Sequence, residues 1–209
     1  MEFIKQLEWR YATKKFDTNK KVSEDDLEVL KKAIQLSVSS YGLQLYKVLV
    51  IENKEIRKKL KLASWNQSQV TDASYLFVFC NYTDAKPESI DEFINLTADI
   101  RNLSLEKLQG YGDFIKTKLE EKSAAERYYW LKSQTYIALA NLLSACAALK
   151  IDACPMEGFD AEEYNSILGL RENELNASVV VAVGYRSDED RTQNLPKVRK
   201  PAELLFQSL

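Results

Sequence analysis

The chain contains no histidine. The commonest general base and the commonest transition-metal ligand are therefore missing. Any chemistry must rest on carboxylates, hydroxyls, cysteines or a bound cofactor. Cysteine is scarce too: Cys80, Cys146 and Cys154 are the whole set. An odd count without Cys-x-x-Cys spacing disfavours a disulfide framework or a zinc site, and no metal is expected. The phosphate-binding fingerprints G-x-G-x-x-G and G-x-x-x-x-G-K-[ST] are absent. So is a strong charge of one sign. The formal net charge is −2, which argues against nucleic acid as a partner. "MEFIKQLEWR" (Met1–Arg10) brings in charge too early for a secretory apolar region. A reduced, cytoplasmic protein is the expectation. The longest stretch without charge is Ser133–Leu149. It is at the short limit for a membrane span and carries Ser, Gln, Thr and Asn. A buried helix, apolar nearly all round, is expected there instead, with no membrane contact. In a chain this small, burial on every side points to a partner subunit, and hence to a homodimer.

What is present fits one globular domain over residues 1–209, with 45% hydrophobic and 29% charged residues. Helical spacing predicts a short helix over residues 2–10 and another to about Ser37, opened by Ser23 and Asp26 as a capping box. Buried strands are predicted at Tyr46–Glu52, Tyr75–Tyr82 and Ala177–Tyr185, and an amphipathic helix over residues 54–64. Residues 88–149 read as mostly helical, interrupted at Gly110–Gly112. A further helix, capped by Asp160 and Glu163, should stop near Gly169.

Two groups of cations lie in loops. Arg10, Lys14 and Lys15 follow the first helix; Lys197, Arg199 and Lys200 sit between Pro196 and Pro201. Either group alone reads as a solvated patch. Together, in loops with free backbone N–H groups, they could hold an anion if the chain ends meet. A nucleic-acid patch is a weaker reading, because no aromatics are interleaved as a stacking platform. "CPMEGFD" (Cys154–Asp160) forms a turn into a capped helix. Glu157 there is either an acid or base, or a plain surface residue. Cys154 as a nucleophile would lack a histidine to activate it. "SSYGLQLYK" (Ser39–Lys47) offers hydroxyls and an amide before a strand. "NQSQVTDAS" (Asn66–Ser74) offers amides suited to an edge with both donors and acceptors. Each of these loops, taken alone, is also an ordinary polar loop.

In order and spacing, "RYATKKFD", "SSYGLQLYKVLV", "NQSQVTDAS", "CPMEGFD" and "VAVGYRSDEDRTQNLPKVRKP" resemble the FMN-dependent nitroreductase family, in its NAD(P)H nitroreductase and dihydropteridine reductase branch. The resemblance implies an α+β, three-layer fold: a mainly antiparallel central sheet flanked by helices. It implies a homodimer that exchanges C-terminal arms, with FMN at the interface and NAD(P)H as electron donor. Arg10, Lys197 and Arg199 match cations around the FMN phosphate, and Lys14 a cation near N1 and O2 of the ring. Asn66 matches an amide at the pyrimidine edge. Pro155, Met156, Glu157 and Gly158 match the turn along the ring, where a backbone N–H meets N5. Ser39, Ser40 and Gln44 match the loop from the other subunit. Tyr111 and Phe114, beside the Gly110–Gly112 break, are candidates for a lid, with ordinary helix packing the equal alternative. The activity implied is hydride transfer from NAD(P)H through flavin N5 to nitroaromatic, quinone or similar acceptors, by a ping-pong scheme. A non-catalytic protein that uses FMN structurally is the alternative.

The sequence also departs from that pattern. Tyr11 and Ala12 stand where members often carry Arg or His and then Ser. Leu45 replaces a proline after Gln44. Gln69 replaces a lysine three residues beyond Asn66, so a bound ring would meet less positive charge.

Overall fold

Apolar residues on both faces of two long strands set the architecture. In the computed structural model, which describes residues 1–209, strands β1 (Tyr46–Ile51), β2 (Tyr75–Tyr82), β3 (Asp152–Met156) and β4 (Leu175–Gly184) form one antiparallel sheet in the order β1-β2-β4-β3. The helices are α1 (Glu2–Trp9), α2 (Glu24–Gln35), α3 (Lys54–Leu62), α4 (Gln69–Asp72), α5 (Pro87–Arg101), α6 (Leu105–Glu120), α7 (Ala124–Ala148), α8 (Ala161–Leu168) and α9 (Ala202–Leu205).

Strand side chains alternate between faces. Leu76, Val78, Val180 and Ala182 pack with Leu60 of α3, Val70 of α4 and Tyr164 of α8. Phe77, Phe79, Val179 and Val181 pack on the other face with Leu30 of α2 and Leu142 of α7. The result is the expected α+β fold in three layers, helix, sheet and helix. A third apolar cluster joins α5 and α6 to Leu43, Leu45 and Leu131. Ser23 Oγ accepts from the Asp26 N–H at the start of α2, and Asp160 Oδ1 accepts from the N–H groups of Glu162 and Glu163 at the start of α8. Gly169 ends α8 at φ 62°, in the left-handed region.

Two expectations are corrected. The break in the central helices is not at Gly110–Gly112, which lies inside α6. The helices break twice instead, at Asn102, which ends α5 at φ 52°, and at residues 121–123, where Ser123 caps the start of α7. A Cβ on Gly112 would sit 3.0 Å from Ile94 Cγ1, so this glycine lets α5 and α6 approach rather than separating them. Secondly, β3 was hidden in what reads as a turn, because Pro155 lies inside it. A proline is tolerated there because β3 is an edge strand. Within one chain α7 is covered on part of its surface only, as expected of a helix whose full burial needs a partner subunit. Tyr129, Ser133, Ile137, Ala140 and Ala148 leave an uncharged exposed stripe along it. No helix is long and apolar enough to cross a membrane.

Candidate functional site

The loop after α1 runs beside edge strand β3. Ala12 bridges Ala153 in parallel, and the Thr13 N–H donates to the Ala153 carbonyl at 3.4 Å. That contact sets Lys14 over the strand, with Nζ 3.9 Å from Cys154 Sγ. Gln69, buried at the start of α4, lies against the same thiol. Burial pushes the Cys154 pKa up, and Lys14 offsets only part of the rise. Cys154 is therefore a poor nucleophile in this setting.

The two cation groups do meet. Lys197 Nζ donates to the Arg10 carbonyl. Burial and then the neighbouring Arg199 lower the Arg10 pKa; burial and then Arg10 and Arg199 lower that of Lys197. None of Arg10, Lys14, Lys197 or Arg199 forms an ion pair with a carboxylate, although ten such pairs exist elsewhere in the chain. Lys15 is different, being paired with Glu189 at 3.1 Å. Lys200 is exposed. Arg10, Lys197 and Arg199 thus crowd together with no carboxylate in ion-pair contact. Such an arrangement is relieved by an anionic ligand.

The turn after β3 completes this half of the site. The N–H groups of Glu157 and Gly158 have no backbone acceptor. The Glu157 carboxylate accepts from Tyr136 OH of α7. A Cβ on Gly158 would lie 3.0 Å from the Trp65 ring and 3.2 Å from Gln67 Nε2, so the two side chains pack closely on this glycine. Gln67 Nε2 also donates to the Gly158 carbonyl at 2.7 Å. Trp65 and Asn66 are both left-handed and exposed. The Asn66 segment therefore adjoins the Pro155–Gly158 turn, with Met156 buried beneath it.

Ser39, Ser40 and Gln44 lie elsewhere, ahead of β1 at the opposite edge of the sheet. At about 4.8 Å per strand, the two edges are about 14 Å apart. This loop is pre-shaped. Ser39 Oγ accepts from the Gln44 N–H at 2.9 Å, and Gln134 Oε1 accepts from the Ser40 N–H at 2.8 Å. Gln44 Nε2 donates to the Gln35 and Ser37 carbonyls, so its amide hydrogens serve the loop itself. Tyr41, Gly42 and Gln44 all take positive φ. Phe114 of α6 packs edge-on against Tyr41 at 6.5 Å, and Tyr41 lies 6.2 Å from Trp130. Tyr111 and Phe114 are exposed on that same half. One chain thus carries two separate clusters, cationic at one edge and polar–aromatic at the other.

Several contributors are invisible to motif reading. Arg186 stacks over Trp9 at 4.4 Å and Tyr11 at 4.6 Å, and its Nε donates to buried Asp152 at 2.8 Å. Tyr11 OH donates to Asp190 at 3.0 Å. Burial, then that bond, pushes the Tyr11 hydroxyl up to about 12. Positions 11 and 12, where the sequence departs from the usual polar residues, are thus used to tie the chain to itself. The only local signal for Asp190 was its spacing before Thr192, which suits a helix cap.

The Nitroreductase family model matches residues 7–185. The "Major NAD(P)H-flavin oxidoreductase" of Aliivibrio fischeri is 33% identical over 207 residues, covering 96% of this chain and 95% of that one. Among solved structures, a nitroreductase-like protein from Streptococcus mutans superposes with a TM-score of 0.87 at 18% identity, covering 100% of this chain and 98% of that one. A chain from Exiguobacterium sibiricum, described as a nitroreductase in complex with FMN, gives 0.84 at 20% identity, with 100% and 98% covered. With the fold, the order of the motifs and the matched span in agreement, this chain belongs to the nitroreductase family.

Proposed function

We propose that the chain is an FMN-dependent NAD(P)H oxidoreductase acting on nitroaromatic, quinone or similar acceptors. The observation that carries this reading is the set of unpaired cations, Arg10, Lys197 and Arg199, crowded where the chain ends meet. A dianionic phosphate fits that donor set, and Arg and Lys would grip it through charge-assisted hydrogen bonds. Lys14 would face the pyrimidine part of the ring, and Asn66 its edge. The free N–H groups at Glu157 and Gly158 would meet the ring's N5 side. When bound, FMN supplies the two-electron chemistry, taking hydride from NAD(P)H and passing it to the acceptor. The chain's task is to hold, orient and charge-tune that group, so the missing histidine is no obstacle. Donor and acceptor would use one exposed surface in turn. Double-reciprocal plots with both substrates varied should therefore be parallel; intersecting lines would overturn the shared surface.

The separation of the two clusters supports a homodimer in which Ser39, Ser40 and Gln44, with the Tyr111 and Phe114 lid, complete the partner's flavin site. The apolar residues Leu195, Val198, Leu204, Leu205 and Phe206 are exposed in the terminal segment, which forms no strand within its own chain. That suits an arm exchanged with the partner. The uncharged stripe on α7 suits the interface core, where charge is depleted. Ile137→Glu should therefore yield monomers in light scattering at micromolar concentration and lose bound flavin. A flavin-bound dimer in this variant would remove α7 from the interface.

Gln69 makes a second, smaller test. Its place beside Cys154 and Lys14 supports a position facing the ring. A unit charge about 4 Å away at an effective dielectric of ~20 is worth at most ~4 kcal/mol. Solvation and the reach of lysine cut this to some tens of millivolts, with about 30 mV per ~1.4 kcal/mol for a two-electron couple. Gln69→Lys should raise the flavin midpoint potential and Lys14→Met should lower it. An unchanged or lowered potential in Gln69→Lys would withdraw position 69 from the ring.

A further inference from the structure

Asp190 is a carboxylate 2% exposed at the junction of both chain ends. Its Oδ2 accepts from the Lys14 N–H at 2.7 Å, the Lys15 N–H at 3.2 Å and Tyr11 OH at 3.0 Å. Its Oδ1 accepts from the Thr192 N–H at 3.0 Å, capping the single turn Arg191–Asn194. Burial alone would raise its pKa, but the backbone bonds from Lys14, Lys15 and Thr192 outweigh burial and lower it. One ionised side chain thus ties the segment bearing Arg10 and Lys14 to the segment bearing Lys197 and Arg199. No other side chain joins them by so many bonds. Arg186 lies nearby, but its partner is Asp152.

We propose that Asp190 is the positioning residue that assembles the split phosphate site, a role that rests on the FMN reading above. The sign of its effect separates positioning from simple charge. Asp190 is an anion close to a site for an anion, so its bare charge opposes phosphate binding. Removing that charge should tighten FMN binding if only electrostatics matters. It should weaken FMN binding if the carboxylate's task is to hold the cations in register. An amide cannot replace it. With its oxygen kept on Thr192, its NH2 would face the N–H groups of Lys14 and Lys15, leaving donor against donor. The two cation-bearing segments would then lose their common anchor.

The test is the affinity of FMN and of riboflavin, measured by flavin fluorescence for wild type, Asp190→Asn and Asp190→Ser. Serine keeps the cap on Thr192 but cannot reach Lys14, so it provides a second variant if the amide does not fold. The expected result is an FMN dissociation constant raised about tenfold or more in both variants. Riboflavin, which lacks the phosphate, should change far less, so that the preference for FMN collapses. FMN binding that is unchanged or tighter overturns the proposal. So does an equal loss for FMN and riboflavin, which marks general damage. Wild type that binds FMN no better than riboflavin overturns the phosphate reading itself, and is distinguishable because it involves no variant.

Discussion

Arg199→Glu should raise the FMN dissociation constant by about a hundredfold or more. A lost hydrogen bond to a charged group costs about 1.5–3 kcal/mol, and reversal adds repulsion from the phosphate. The apo fold should survive. Arg199 is exposed and donates only to the adjacent Val198 carbonyl. Arg199→Ala should lose about tenfold, since repulsion is absent. The measurement is an FMN titration, with circular dichroism to show an intact fold. Affinity within threefold of wild type in the Glu variant would remove Arg199 from the phosphate site.

Arg57→Ala should destabilise the protein by about 3 kcal/mol. Arg57, 4% exposed, donates from Nε to the Val70 carbonyl, from Nη2 to Ala73 and from Nη1 to Ser74. These bonds fasten the link from α4 into β2, next to buried Gln69. Burial lowers the Arg57 pKa, with Asp72 and Glu52 offsetting part of the cost. Truncation would leave three inward carbonyls to whatever water can enter, each unsatisfied acceptor costing about 1–3 kcal/mol. Recovered solvation of the charge reduces the sum. For a chain of this size a loss of ~3 kcal/mol corresponds to a melting temperature lower by roughly 6–12 °C. Arg57→Lys should recover only part, because one ammonium cannot span the three carbonyls. A loss below about 1 kcal/mol in urea unfolding of Arg57→Ala would show that the three bonds contribute little net.

The strands were legible as nearly continuous apolar runs, which Lys47, Asn81 and Ser178 are too few to break: β2 was predicted at its observed limits, and β1 and β4 within two residues. Pro155 hid β3, since local chemistry reads it as a turn and only the sheet order shows that it sits at an edge. Gly110 and Gly112 misled for a related reason. Glycine breaks an isolated helix but also permits close packing, and Ile94, the residue that needs the space, lies on another helix. The meeting of Arg10 with Lys197 was legible as two loop cation groups. The anchor between them was not, because Asp190 stands in the acidic run "SDEDRT" and nothing local marks which of its carboxylates is buried. Trp65 and Gln67 escaped for the same reason: their role is to pack on Gly158, and that neighbour is distant in sequence.

The most direct test of the central claim is the visible spectrum of the purified protein. It should be incubated with FMN, freed of excess by gel filtration, and then mixed anaerobically with NADPH or NADH. The expected result is a retained flavin spectrum at about one FMN per chain, bleached rapidly by one of the two donors. A colourless protein, or a bound flavin that neither donor reduces, would contradict it.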